Sequence, residues 1–207
     1  MKKFIAAVLC LICIFGFSSC NSFLFKLPGV IAPAVIDGIG KYNDYMDMSV
    51  EELMSLSDFE LHDALIYRVT DKVFSKSSFK EGLDSLNEKE RVYYICENYE
   101  MQVCDGGLCT FFFNSQKEEL EEIFSCLEKI GALEHKKLLE DFIAENNIDI
   151  NDFADINSGG TEAEFREKYD ALSRAYPFDD FDNAFMELEL LDSYILKYVR
   201  ENIGYFG

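Results

Sequence analysis

Cys104 and Cys109 enclose Asp105-Gly106-Gly107-Leu108, and three phenylalanines follow at 111–113. Two thiols around a double glycine raise four chemistries: metal binding, thiol redox, a phosphate cradle, or a plain turn. A structural zinc site takes four ligands, usually from two closely spaced pairs. Here the next cysteine is Cys126 and the nearest histidine His135, so the second pair is missing. A thioredoxin-like site uses Cys-x-x-Cys beside a βαβ unit, and neither is present. Gly106-Gly107 lacks the Lys-Ser/Thr of a phosphate loop and the third glycine of a dinucleotide fingerprint. The remaining reading is a structural turn built from Asp105, Gly106, Gly107 and Asn114. One helix ends near Cys104, and the glycines supply positive φ. Leu108–Phe113 then forms a short helical turn packed inward, and Asn114-Ser115 ends it and caps the next helix. The cysteines serve as small core residues. For a disulfide, Cys96 and Cys104 lie about 12 Å apart on one helix, beyond bridging reach. Cys104–Cys109 across the turn is the favoured pair, and whether it closes stays open.

Other catalytic chemistry is sparse. His62 adjoins Asp63 and His135 follows Glu134, with no second histidine near either. Both read as surface residues rather than ligands or bases. No Gly-x-Ser-x-Gly elbow occurs, and carboxylate pairs in so acidic a chain arise by chance. The residues point to no catalytic set, metal set or cofactor. Binding by charge is a better-supported use. Glu118, Glu121 and Glu122 share an outward helix face, and Asp179, Asp180 and Asp182 form a second acidic run near the C-terminus. Like charges so close cost helix stability. A row of carboxylates can imitate the phosphates of duplex DNA, which carries about one charge per 1.7 Å of axis.

The whole chain is acidic: 39 Asp and Glu face 19 Lys and Arg in 207 residues, a net charge of −20. That disfavours direct binding to nucleic acid and favours a protein partner with a basic surface, or only solubility. Apolar residues make up 49%, with 19 Phe and 11 Tyr but no Trp, so a core rich in aromatics is expected. The N-terminus adds an address. Lys2-Lys3 precede an apolar run from Phe4 to Phe17, shorter than the ~20 residues of a spanning helix. Phe17-Ser18-Ser19-Cys20 closes it in the manner of a bacterial lipobox, with Phe17 where Leu is usual. We expect residues 1–19 to be a signal peptide of lipoprotein type and Cys20 to be the lipidated residue. An ordinary cleaved signal and an uncleaved anchor are the alternatives. The expected place is the bacterial cell envelope, with the membrane reached through the N-terminal lipid.

These residues must be positioned by helices. Residues 20–48, with Pro28, Pro33 and three glycines, read as a tether and a short helix beginning near Pro33. From Ser49, five pairs have the capping-box spacing: Ser49/Glu52, Ser57/Glu60, Asn87/Glu90, Ser115/Glu118 and Thr161/Glu164. Apolar stripes follow at steps of three and four: Val92, Ile95, Cys96, Tyr99, Val103; Leu120, Ile123, Phe124, Leu127, Ile130; Leu138, Leu139, Phe142, Ile143; Phe165, Tyr169, Leu172. Phe185, Leu188, Leu191, Ile195 and Val199 complete one long last helix. The fold expected over 49–207 is all-α, a single irregular helical bundle of about seven helices.

Tyr93 to Ser115, "YYICENYEMQVCDGGLCTFFFNS", resembles the core motif of the bacterial DNA-mimic protein C-terminal domain family. In that motif a helix ends in Asn-Gly-Gly, and an aromatic pair and Asn-Ser follow. Gly106, Gly107, Phe112, Phe113, Asn114 and Ser115 stand in place, while Asp105, Leu108 and Thr110 depart from the usual Asn, Phe and Gln. Leu127-x-x-Ile130-Gly131-Ala132 is similar to the family's following helix end, and Phe185–Tyr198 with Arg200-Glu201-Asn202 to its last helix. The resemblance covers about residues 50–203. It implies an all-α, non-enzymatic, acidic protein that forms a homodimer and occupies a transcription factor's DNA-binding surface. We therefore expect a protein-binding module that mimics nucleic acid or neutralises a basic partner. The alternative is a lipid-anchored scaffold whose acidity serves solubility alone.

Overall fold

A computed structural model describes residues 41–150, 153 and 161–207. The signal segment, Cys20, the tether up to residue 40 and the helix start expected near Pro33 lie outside the described residues. The all-α class is observed: nine bounded α-helices and a closing 3-10 turn among the described residues, and no strand. They are α1 Val50–Ser55, α2 Asp58–Phe74, α3 Phe79–Asp84, α4 Glu88–Asn114, α5 Lys117–Ile130, α6 Leu133–Glu145, α7 Glu162–Ala175, α8 Phe178–Glu187 and α9 Leu191–Glu201, with the 3-10 turn at Ile203–Tyr205. The count exceeds seven because α1 and α3 are only six residues long, and the expected last helix is two.

The helices fall into two compact units. The first holds the described residues up to Glu90 together with Asn202–Gly207; the second is Arg91–Glu201. In the first, Leu53, Leu61, Leu65, Val69, Val73, Leu83 and Phe206 are buried. Residues 41–46 are helical. Arg68 donates to the carbonyls of Tyr45 (3.0 Å) and Met48 (2.8 Å), satisfying acceptors at and just beyond that helix's end. Gly82 lets α3 approach α2: a Cβ there would sit 2.3 Å from the Val73 carbonyl oxygen. Glu90, 2% exposed, pairs with Lys72.

The second unit is organised around α4. The three phenylalanines, each at most 1% exposed, advance about 100° per residue and so point to three sides. Phe111 meets Tyr99 edge-on at 4.8 Å, Phe112 stacks on Phe153 at 5.0 Å, and Phe113 meets Phe165 at 4.4 Å. The inward helical turn expected there is present, surrounded by aromatic rings.

Four of the five capping boxes form as read. Ser49, Ser57, Asn87 and Thr161 each accept from the backbone N–H three residues on, and each receives the Glu in return. The fifth is corrected. The N-cap of α5 is Gln116, not Ser115, and Glu119 rather than Glu118 accepts the Gln116 N–H at 2.8 Å. Ser115 is buried instead. Helix α5 ends on Gly131 at φ 82°, where the Ala132 N–H returns to the Leu127 carbonyl at 2.9 Å.

Candidate functional site

At Gly107 the backbone turns to φ 79°, ψ 174°, and the helix resumes at once. Only Gly107 of the double glycine has positive φ, so the expected turn is a kink within one long helix. A resuming helix has backbone N–H groups without helical partners. The Leu108 N–H donates to Asp182 Oδ1 at 2.8 Å, a carboxylate 74 residues further along the chain. A Cβ on Gly107 would fall 2.1 Å from Asp182 Oδ2, so glycine meets both the φ and the space requirement. Asp105 and Gly106 are exposed, and Gly106 accepts the Thr110 hydroxyl at 2.6 Å.

Asn114 does not cap α5. Its Nδ2 donates back across the kink to Gln102 Oε1 at 2.8 Å. Gln102 Nε2 donates to Asn98 Oδ1 at 3.3 Å, and Asn98 Nδ2 to Glu119 Oε1 at 2.6 Å. This chain of amides runs from one half of α4 to the other and ends on the first turn of α5. Burial raises the Glu119 carboxyl to about 7, against the two hydrogen bonds it accepts. Sequence reading passed over Glu119 because it lies inside a run of glutamates; its signal was apolar spacing shared with Leu120, Ile123 and Leu127.

The six carboxylates expected on outward faces separate into two groups. Glu121 is exposed and lies 3.4 Å from Lys117, and Glu118 is half-buried. Glu122 accepts two bonds from Arg91, at 2.8 Å from Nε and 2.6 Å from Nη2. Asp179 and Asp180 are exposed in the first turn of α8, where negative charge also suits the helix dipole. Asp182 departs from the expectation: it turns inward as the cap of Leu108, and burial raises its carboxyl above the ordinary value. The two runs differ in counter-charge. α5 contains Lys117 and Lys129 and receives Arg91 and Lys136. Between Arg174 and Lys197 lie six acids and no Lys or Arg. Met186 (60%) and Leu190 (75%) are exposed in that same stretch.

His135 also differs from expectation. It is 2% exposed, lies edge-on to Phe185 at 4.9 Å, and bonds the Glu189 carbonyl through Nε2 at 2.8 Å. A carbonyl only accepts, so Nε2 carries the proton. Burial lowers its pKa, which keeps the ring neutral. His62 is half-buried. Near His135 the expected last helix is interrupted. Leu188 is extended, and the α9 N-terminus is capped from afar as Glu100 accepts the Asp192 N–H at 2.9 Å. Thus α4 caps α9 through Glu100, and α8 caps the second half of α4 through Asp182.

The four described cysteines are free, with Cys104 exposed and Cys109 buried. Burial raises both thiols, Cys109 to about 11, so neither is activated as a nucleophile at neutral pH. Among the described residues no group of three or more His, Cys, Asp or Glu is arranged to hold a metal. No helix there is long and apolar enough to cross a membrane. The arrangement is suited to presenting charge.

A family model described as DMP19-like protein matches residues 84–202, more than half of the chain. The match begins later than the resemblance read from residues 50–203. No curated protein and no solved structure matches.

Proposed function

The chain belongs to the DMP19-like protein family, and on that premise we propose that it is a non-enzymatic acidic module binding a protein that itself binds DNA. The observation that carries this reading is the stretch between Arg174 and Lys197, with six acids and no internal cation. Asp179 and Asp180 project from it. A row of acids with no Lys or Arg among them gains most from a basic surface, because the like-charge repulsion along α8 is relieved on contact. Exposed Met186 and Leu190 supply apolar contact of the kind that fills an interface core. Glu118 and Glu121 present further acids on α5. Glu122 and Asp182 hold the fold and do not contact the partner.

The test is capture of basic proteins from extract on the immobilised chain, comparing the parent with Asp179→Asn/Asp180→Asn and with Asp182→Asn. The first variant should lose most of the captured DNA-binding protein; the second should retain it. Equal capture by all three would remove α8 from the binding surface and favour the scaffold reading.

The anchor belongs to the same proposal. Lys2-Lys3, the apolar run and Ser18-Ser19-Cys20 support cleavage before Cys20 and attachment of lipid there. Cys20→Ser should abolish lipid labelling and detergent partitioning. A variant that partitions like the parent would exclude Cys20 as the anchor.

A further inference from the structure

Between α8 and α9 the chain turns at Leu188–Leu190 without a glycine or proline. Leu188 is extended, and its N–H returns to the Phe185 carbonyl at 3.2 Å. Glu189 is held at two points. Its carboxylate accepts the Tyr194 hydroxyl at 2.9 Å, and its carbonyl accepts the Nε2–H of His135, from α6, at 2.8 Å. Met186 and Leu190, both exposed, flank it in sequence. Among these groups only the histidine ordinarily changes charge near neutral pH. Its other ring nitrogen, Nδ1, is buried and has no hydrogen-bond partner among the described residues. The ring is enclosed, 2% exposed, with Phe185 of α8 at 4.9 Å and Tyr194 of α9 at 6.2 Å.

We propose that His135 is a proton-operated latch on the α8–α9 junction: neutral, it holds the Glu189 carbonyl, and protonated in mild acid it lets the junction, with Met186 and Leu190, move. The neutral ring carries one N–H, already donated to Glu189; an imidazolium carries two. The second would lie at Nδ1, where a buried charged donor meets no acceptor, and leaving it unpaired costs more than an ordinary hydrogen bond contributes. Turning Nδ1 to water withdraws Nε2 from Glu189, so uptake of the proton and the junction bond compete. The charged groups nearby are Glu134 on α6 and Glu189 at the junction, and both favour the imidazolium. Tyr194 on α9 is a neutral phenol bonded to Glu189, and α8 offers the uncharged Phe185. Both glutamates are exposed, so water screens them. Burial prevails and lowers the His135 pKa. A histidine lowered in the closed state stabilises that state fully above its ordinary value of about 6.5, and the contribution is lost as pH falls below it. The latch rests on the geometry at His135; its control of partner binding rests on the proposed function, which puts this stretch in the contact surface.

The full chain, isotope-labelled and in detergent micelles, is followed by NMR from about pH 7.5 to about pH 5.5, a range spanning the ordinary histidine value. Ring-nitrogen shifts report the tautomer and charge of His135. Amide hydrogen exchange, taken as protection relative to the unstructured rate at each pH, reports opening of residues 188–193. His135 should be the neutral Nε2–H tautomer at the upper limit. Protection at 188–193 should fall about tenfold by the lower limit, one pH unit below 6.5, while α5 keeps its own. His62→Gln should behave as the parent. His135→Gln, whose amide donates but does not titrate, should show no fall. A charged ring or an Nδ1–H tautomer at the upper limit, equal protection at both limits, or the same fall in His135→Gln would overturn the proposal. If His135→Gln does not fold, the parent and His62→Gln decide alone. No partner enters these readouts, so their failure leaves the proposed function standing, and failure of the capture test leaves the latch.

Discussion

Gly107 carries two demands at one atom position: φ of 79° and no Cβ within reach of Asp182. Either alone would disfavour substitution, and together they predict that Gly107→Ala destabilises by about 1–3 kcal/mol, the scale of a strained backbone position. Denaturant melts should show this loss, while Gly106→Ala, whose Cβ would meet only the Thr110 side chain, should cost less. Equal costs at the two glycines would show that the kink does not depend on Gly107. Glu119 predicts a pH effect. Its carboxyl lies at about 7 folded against an ordinary 4.5, so the proton is held more tightly in the native state. The stability this gives is fully present below pH 4.5 and is lost as pH rises through 7. Relative to Glu119→Gln, the parent should lose on the order of 3 kcal/mol across that interval, at 1.36 kcal/mol per pH unit. Parallel stability-against-pH curves for the two proteins would refute it.

Helix starts were legible wherever the cap is local. Ser49, Ser57, Asn87 and Thr161 need only a glutamate three residues on, and sequence spacing records that directly. Ser115 and Glu118 share the spacing, but burial of Ser115 and Glu119 moves the start of α5 by one residue. What spacing cannot record is a cap delivered from elsewhere in the chain. Asp182 reaches Leu108 and Glu100 reaches Asp192, so the kink's exact partner and the break before α9 follow from packing, without Gly or Pro at the second. Packing likewise turns Asp182 toward Leu108 and buries His135, neither of which spacing records. Gly82 tests an element contact that sequence also leaves silent. Gly82→Ala places a methyl 2.3 Å from the Val73 carbonyl, which only separation of α3 from α2 relieves. The expected cost is about 1–3 kcal/mol, read as a lower melting temperature. An unchanged melting temperature would mean that the two helices part without penalty.

For the whole molecule the defining quantity is charge, and its distribution matters more than its sum. The chain's −20 is partly matched on α5 by lysines and arginines, whereas α8 and the start of α9 bring none of their own. A neutral residue at Asp179 or Asp180 should therefore change association far more than folding, since exposed charges contribute little to stability. The same substitution at Asp182 should do the reverse. On the proposed function, the acid-only stretch takes the place of duplex DNA on a basic protein. The most direct measurement is competition: the captured partner is titrated with duplex DNA, and separately with salt as the screening length falls from about 10 Å to about 3 Å. The account predicts stoichiometric release by DNA and a steep loss of affinity with salt, both weakened in Asp179→Asn/Asp180→Asn. A partner that remains bound in the presence of excess duplex DNA, with an affinity indifferent to salt, would contradict it.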